Sequence, residues 1–257
     1  MRNAVAIASL CALLCASQSI AEVGWYGASK TVPELRGEIT KSDVVELQRN
    51  PRLSRGQPII LEINSVGGDW EAALQIGRLL RRTRSTAFVE SGRNCLSACV
   101  MVLAGATDRK VLGRARIGIH RPYSSSTAKL TYEEAQTRYR ALESSARSYL
   151  REMNSPDALF DAMVRVPAER IRILTPEEVE SFGLSTQDPV AAEIEDAAAA
   201  RKYGLDRQTY LERKRLTDSC KPFYPGPDIG QDALLEQLDR YERCRESILR
   251  TGAWDGR

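Results

Sequence analysis

Residues 58–68, PIILEINSVGG, combine a compact apolar run with a pair of glycines. The run at 59–63 has the length and composition of a strand that is buried on both faces of a sheet. After the glycines, apolar side chains recur at helical spacing, at Ala72, Ala73, Ile76, Leu79 and Leu80. A buried strand, a glycine turn and an amphipathic helix in this order predict an α/β fold.

The strand-turn-helix pattern recurs further along the chain. Residues 85–90 predict a second strand, and a turn near Gly92 leads to a predicted helix of small residues at 97–105. Residues 115–119 predict a third strand, which ends directly before His120. Because the carboxyl ends of neighbouring parallel strands lie at one edge of a sheet, we expect the residues that follow these strands to lie close together.

Helices are predicted for most of the remaining chain. A long charged helix is expected at 131–153, and Thr175 followed by Pro176 is typical of a helix start. From residue 190 the sequence is rich in alanine and charged residues, which predicts a helical C-terminal appendage. The predicted domains are a leader at 1–21, an α/β domain at 22–189 and the appendage at 190–257.

The leader has the features of a secretory signal peptide. Arg2 precedes an apolar run at 4–16, and small residues lead up to a cleavage site after Ala21. The run is shorter than the ~20 residues that span a bilayer, so a membrane anchor is the weaker interpretation. We therefore expect a periplasmic or secreted protein without a stable membrane span.

The composition argues against several classes of function. The chain has 257 residues, and its formal charge of +3 excludes a strongly basic nucleic-acid-binding protein, so no nucleic-acid partner is expected. His120 is its one histidine, and the cysteines lack the paired spacing of zinc ligands. No metal site and no cofactor are therefore predicted.

The cysteines that remain after removal of the leader are Cys95, Cys99, Cys220 and Cys244. Export would permit disulfides. Cys220 and Cys244 bracket a proline-rich link and most of the last helix, so we predict a disulfide that staples the appendage. Cys95 and Cys99 flank Ser97, and a disulfide is favoured here over free thiols. It would brace the Ser97 turn or act as a redox lock; alternatively, the two cysteines are ordinary small buried residues.

Ser97, His120 and the glycine pair supply the parts of a nucleophilic hydrolase. A serine hydroxyl becomes a good nucleophile when an imidazole accepts its proton, and the tetrahedral intermediate needs donors near its oxyanion. We predict that Ser97 is the nucleophile and that His120 is the general base. The backbone N–H groups of Gly68 and Ala98 are the expected oxyanion donors. Each element alone is more often structural, and it is their order along the chain that points to catalysis.

Together these motifs resemble a known family. Residues 34–186 resemble the proteolytic subunit of the Clp protease, within the wider crotonase-like superfamily, in the segments 63–68, 92–105, 115–122 and 174–184. Within that group, the chain most resembles an exported bacterial branch. The resemblance implies repeated ββα units, a serine peptidase acting on peptide or protein substrates, and the same catalytic residues as above. It also implies a homo-oligomer whose subunits meet through the helix at 131–153.

One position departs from the family pattern. In the family an aspartate orients the histidine, and the matching position in this chain is Ile171. An apolar side chain cannot take that role, whose loss costs about 10⁴ in rate in a comparable triad. Glu169 is the tentative substitute acid, and Asp161 is a more remote one. Otherwise the site is a Ser–His dyad or is inactive.

Several alternatives to an exported serine peptidase or related acyl hydrolase stay open. Ile171 and the appendage also fit a non-catalytic binding or assembly module in the periplasm. Acyl-CoA chemistry of the crotonase type fits the fold but not an exported protein. A Ser–Lys dyad with Lys110 or Lys129 has a less favourable spacing, and a cysteine nucleophile is disfavoured because Ser97 occupies the matching position. The chain has no P-loop signature, and no ATPase partner is expected, because a cytosolic unfoldase would not reach an exported protein.

Overall fold

The computed structural model of the chain describes residues 22–24, 32–123, 130–220 and 231–254. The predicted signal peptide at 1–21 and the candidate Lys129 lie outside these residues. The chain divides into two compact units, the first ending at Thr186 and the second running from Gln187 to Arg257. Within the described segments, no helix has the length and apolar character needed to cross a membrane.

The first unit contains both strands and helices, interspersed along the chain. Its strands are β1 (Glu22–Gly24), β2 (Glu34–Ile39), β3 (Ile60–Gly68), β4 (Thr86–Val89), β5 (Asn94–Leu96), β6 (Asp108–Val111), β7 (Arg116–Ile119) and β8 (Arg172–Ile173). Its helices are α1 (Lys41–Arg49), α2 (Trp70–Arg82), α3 (Cys99–Gly105), α4 (Tyr132–Glu152), α5 (Ala158–Val164) and α6 (Pro176–Ser181). A short 3₁₀ turn, Leu53–Arg55, lies between α1 and β3.

The strands form one sheet that branches at β3. One path runs β1-β2-β3-β5-β7-β8, while β4 pairs with β3 and with β6. The first part of β3 pairs with β4, and Ser65 in its second part pairs with Cys95 in β5. The pairs from β2 to β7 are parallel, whereas β1 and β8 join antiparallel. Two consecutive repeats, β4-β5-α3 and β6-β7-α4, each contribute two strands and a helix, which confirms the predicted α/β class with repeated ββα units.

Helices α2 and α3 meet in the core of the first unit through two glycines, and α4 packs beside them through Tyr149. A Cβ atom on Gly105 would lie only 2.3 Å from the Cα of Gly77, so these two glycines let the backbones of α2 and α3 touch. The hydroxyl of Tyr149 on α4 fills the space beside Gly77 and donates to the carbonyl of Met101 at 2.7 Å. Burial raises the pKa of Tyr149 well above its usual value. This close packing fixes α3, the helix that follows Ser97.

A buried arginine ties the outer strand β6 to two chain segments that follow later. Arg109 is 2% exposed and donates to the carbonyl oxygens of Ala106, Met153 and Gly183 at 2.9, 2.8 and 2.7 Å. It also donates to the hydroxyl of Ser155 at 3.2 Å. A buried guanidinium is tolerated only when its donors are satisfied. The composition of β6 gave no signal of this role.

The helix starts follow the sequence signals closely. Thr175 accepts a hydrogen bond from the Glu178 amide, with Pro176 in the first helical turn, as predicted. Helix α1 begins after Thr40, although Ser42 is also a residue type that often caps helices. Thr40 prevails because the Asp43 carboxylate accepts from both its amide and its hydroxyl, at 2.7 Å each.

The second unit is helical, as the sequence predicted for the appendage. Its helices are α7 (Pro189–Lys202), α8 (Arg207–Leu216) and α9 (Gln231–Thr251). The disulfide between Cys220 and Cys244 is present, with a Cα–Cα distance of 5.8 Å, and packs against Ile248. A small core of Ala200, Tyr210 and Leu249 joins the three helices. The predicted proline-rich link, residues 221–227, lies outside the described residues.

Candidate active site

Three adjacent strands end at the same edge of the sheet. β3 ends at Gly68, β5 at Leu96 and β7 at Ile119, and β5 pairs with both of the others. The glycine pair, Ser97 and His120 therefore meet, as the strand pattern predicted. They line one pocket of about 630 Å³.

Ser97 lies in a tight turn between β5 and α3. Its φ of 57° is in the left-handed region, which non-glycine residues rarely adopt. Its amide donates to the carbonyl of Gly118 at 2.8 Å, and its carbonyl accepts from the amide of Val100 at 3.1 Å. Helix α3 begins at Cys99 and not at Ser97, so the predicted start was two residues early. Conformations of this kind are strained and occur often at functional sites.

A disulfide closes the chain around this turn. Cys95 in β5 and Cys99 at the start of α3 are bonded, with a Cα–Cα distance of 5.3 Å. The bond is possible because Cys95 lies in the strand and not on the helix, so the two side chains do not run parallel. Both cysteines are 0% exposed. The predicted pairing is therefore present, and it lies in the protein interior.

The hydroxyl of Ser97 and the imidazole of His120 are hydrogen-bonded. The distance from Oγ of Ser97 to Nε2 of His120 is 2.6 Å, and Nδ1 of His120 lies 2.9 Å from the carbonyl oxygen of Arg121. A carbonyl oxygen can only accept, so in the neutral ring Nδ1 carries the hydrogen and donates it. Nε2 then presents its lone pair to the Ser97 hydroxyl. This is the tautomer that a general base requires.

The carbonyl group that accepts from His120 belongs to Arg121, and Arg121 is itself held by two hydrogen bonds. The amide of Arg121 donates to the carbonyl of Val166 at 2.9 Å, and its Nε donates to the carbonyl of Val164 at 2.9 Å. Val164 is the last residue of α5. Arg121 is thereby fixed at both main chain and side chain. Sequence reasoning missed it, because a backbone acceptor has no side-chain signature.

Within the described residues, the hydrogen-bond partners of the His120 ring are Ser97 and the Arg121 carbonyl, and no carboxylate is among them. Ile171 is opposite His120 if the antiparallel register of β7 and β8 is continued by one residue, and its side chain packs beside Gly118. Glu169 is exposed, and the Nδ1 partner is Arg121 instead. The carboxylate of Asp161 accepts from Nη2 of Arg147 at 2.6 Å.

Lys110, one of the two lysines considered for a Ser–Lys dyad, forms an ion pair away from Ser97. Nζ of Lys110 lies 3.2 Å from the carboxylate of Asp108. It therefore has an ion-pair partner within its own strand, β6, which is not one of the strands that end at Ser97.

Gly67 allows a close approach to the Ser97 turn, and Gly68 allows one to the end of β2. A Cβ atom on Gly67 would lie 2.6 Å from Cβ of Ser97 and 3.1 Å from the amide nitrogen of Ala98. One on Gly68 would lie 2.3 Å from the carbonyl oxygen of Ile39. Both glycines have positive φ, 95° and 144°. Gly68 and Ala98, the predicted oxyanion donors, both line the pocket, and Gly67 is the residue that brings the two segments together.

The remaining pocket walls mix aromatic, aliphatic and charged side chains. Tyr123 lies beside His120, with ring centroids 5.7 Å apart, and Trp70 and Leu142 also contribute. Glu38 and Glu71 add carboxylates. None of these was identified from the sequence, although Tyr123 follows His120 closely at the same strand end. Among the described residues, no group of three or more metal-ligating side chains converges.

Comparisons with known proteins find a family that matches much of this chain. A family model described as Clp protease matches residues 37–187. No match to the chain was found among curated proteins.

Two solved structures resemble part of the chain. One is a mutant of the membrane-bound stomatin-specific protease 1510-N, with 17% identity and a TM-score of 0.47, over 64% of this chain and 83% of that one. The other is a mutant of ClpP1 from Listeria monocytogenes, with 20% identity and a TM-score of 0.46, over 60% of this chain and 88% of that one.

Proposed function

The chain belongs to the Clp protease family, and from this premise we propose that it is an exported serine peptidase in which Ser97 attacks and His120 is the general base. The family establishes a serine peptidase fold of the Clp type. The observation that carries the proposal is the 2.6 Å hydrogen bond between Oγ of Ser97 and Nε2 of His120. The bond from Nδ1 to the Arg121 carbonyl supports it, because that bond selects the basic tautomer.

The proposed reaction is acyl transfer through Ser97. Oγ attacks the scissile carbonyl carbon while its proton passes to Nε2 of His120. The N–H groups of Gly68 and Ala98 donate to the oxyanion of the tetrahedral intermediate. When the C–N bond breaks, the leaving amine takes the proton from Nε2. Water, activated by the same nitrogen, then hydrolyses the acyl-serine and restores the enzyme.

A backbone carbonyl replaces the family's aspartate in this proposal. Hydrogen bonds to a charged acceptor are roughly twice as strong as those between neutral groups, so the carbonyl of Arg121 stabilises the imidazolium less than a carboxylate does. It nevertheless keeps the ring in the correct tautomer, and the wrong tautomer accounts for most of the about 10⁴-fold loss when a triad aspartate becomes asparagine. We therefore expect a working but slow enzyme.

The compartment, substrate and assembly complete the proposal. Two disulfides support export, because such bonds persist in oxidising compartments. Members of this family act on peptides or proteins and oligomerise, and we propose that helix α4 mediates contacts between copies of this chain. The periplasmic or secreted location, the leader at 1–21, the domain boundary at 189–190 and the lack of an ATPase partner are parts of the same proposal.

Labelling with a neutral fluorophosphonate tests the function. Wild-type protein should be labelled, Ser97→Ala should not, and His120→Ala should react about 10²–10⁴-fold more slowly. Ser54→Ala, an exposed serine outside the pocket, is the matched control and should behave as wild type. Equal labelling of wild type and Ser97→Ala would refute the proposal.

The competing function is a non-catalytic binding or assembly module. The apolar Ile171 at the family's acid position favours it. Folded wild-type protein that never reacts at Ser97 would support this alternative and exclude the peptidase.

A further inference from the structure

Among the described residues that line the pocket beside Ser97, three carry carboxylates and only one is a lysine or arginine. Glu38 at the end of β2 and Glu71 in the first turn of α2 are both exposed and line the pocket. Neither takes part in an ion pair within the described residues. Asp69 also lines it but caps α2, accepting from the amide of Ala72 at 2.9 Å. Lys41 is the one lysine or arginine among the lining residues that the structure describes.

Glu38 lies close to where the reaction would take place. In the pairing of β2 with β3, Glu38 is opposite Gly67. Its Cγ atom is 2.9 Å from the position of a Cβ atom on Gly68, so its side chain leans over the proposed oxyanion donor. A carboxylate there repels the negative charge that develops on the scissile oxygen. A cationic group on the substrate would offset that repulsion.

The neighbouring surface suits the stem of a long cationic side chain. Trp70, between Asp69 and Glu71 in sequence, lines the same pocket, together with the exposed side chain of Val66. Lysine and arginine side chains pack their methylene stems on apolar surface while their charged ends reach carboxylates or the face of an aromatic ring. A neutral or acidic substrate side chain gains only part of these contacts.

We propose that this pocket selects substrates that carry a lysine or arginine side chain beside the scissile bond, with Glu38 and Glu71 as the residues that determine this specificity. The proposal rests on the proposed function, since it assumes that Ser97 is the nucleophile. It assigns a substrate class to the site, basic peptides.

The test compares two phosphonate probes that differ only in charge. One carries an arginine-like guanidinium and the other the neutral citrulline isostere, and the measurement is the second-order rate of Ser97 labelling. On wild type we expect the cationic probe to react about tenfold faster than the neutral one. A tenfold ratio corresponds to about 1.4 kcal/mol, the size of the interaction in one close charge pair. High salt should reduce the ratio, because exposed charges are screened.

Variants assign the preference to the two glutamates. Glu38→Gln and Glu71→Gln should each lower the ratio about threefold, and the double variant should bring it near one. The matched control is Glu46→Gln, an exposed glutamate of α1 that does not line the pocket, which should keep the wild-type ratio. The substitutions change charge but little volume, and a thermal melt checks that each variant is folded.

The outcomes separate this proposal from the proposed function. A wild-type ratio at or below one overturns the basic specificity even if the neutral probe labels Ser97 well. A high ratio that survives in the double variant shows that other groups bind the cation and overturns the role of Glu38 and Glu71. Labelling by neither probe overturns the serine peptidase itself, and the specificity with it.

Discussion

The disulfide between Cys95 and Cys99 is expected to hold Ser97 in its reactive conformation, and the variant Cys95→Ala/Cys99→Ala tests this role. The bond closes a loop with a sequence separation of 4. In the chain-entropy model, a loop of this size contributes about 2 kcal/mol to the free energy of unfolding. Alanine is the suitable replacement because both cysteines are fully buried.

The effect on reactivity follows from the strained turn. A left-handed non-glycine residue such as Ser97 stores about 1–3 kcal/mol, which the surroundings must offset. Without the disulfide, the hydrogen bonds to Gly118 and from Val100 still hold the turn. Suppose that, in the freed turn, a relaxed conformation is about 1.4 kcal/mol more stable than the reactive one. Only about one tenth of the molecules then keep the reactive geometry. We therefore expect fluorophosphonate labelling of Ser97 to become about tenfold slower.

The second disulfide supplies the matched control. Cys220 and Cys244 have a sequence separation of 24, so their removal should cost the second unit about 3.5 kcal/mol. Ser97 lies in the first unit, and its labelling rate should not change. Urea unfolding measures the stability of both variants, and labelling without urea measures the reactivity.

One result would refute the reasoning. If Cys95→Ala/Cys99→Ala loses stability but labels at the wild-type rate, the disulfide stabilises the fold without positioning Ser97. Because both cysteines are buried, a mild reductant should leave labelling of the folded protein unchanged. A rapid loss of labelling under such conditions would instead indicate a redox lock.

Two further predictions concern residues on either side of Ser97 and His120. Gly67→Ala should reduce labelling by about 10²-fold or more, because its Cβ would overlap Ser97 and misplace it by roughly 1 Å. The control is Gly56→Ala, where φ is 70° and the space around the glycine is open. This variant should lose only about 1 kcal/mol of stability and keep its labelling rate. Ile171→Asp should raise the labelling rate at least about tenfold, because it gives the imidazolium a charged neighbour. The neutral variant Ile171→Asn should not raise the rate. Equal rates for the two variants would show that the side chain at position 171 does not reach His120.

The position of the site could be predicted because it depends on strand ends. The apolar run before Gly67 and the strands before Ser97 and His120 are local patterns, and parallel pairing brings their carboxyl ends together. The disulfide pairings could also be inferred, since few cysteines remain after the leader. The roles of Ser97 and His120 stay predictions until labelling is measured.

Other features depend on three-dimensional contacts that leave little trace in sequence. Arg109 can be buried because the carbonyl groups of Met153 and Gly183, distant in sequence, accept from it, and the sequence of β6 does not indicate them. Glu38 and Glu71 are ordinary surface glutamates until the pairing of β2 with β3 places one of them over Gly68. Glu169 and Asp161 carry carboxylates that a sequence shows, whereas the backbone carbonyl of Arg121, which accepts from His120, has no such signature.

The sequence nevertheless contained part of the answer, in the dipeptide Arg121-Pro122. A proline restricts the residue before it to extended conformations with ψ of about +120 to +160°, and ψ sets the direction of that residue's carbonyl group. The amide of Arg121 is bonded to Val166 and its Nε to Val164, so rotation of the whole residue is restrained as well. A carbonyl fixed in this way can orient His120 almost as a side chain would, and no single side-chain substitution deletes it. The step that remains weak is stabilisation of the imidazolium, which is why an aspartate at position 171 should affect the rate more than a change at Glu169.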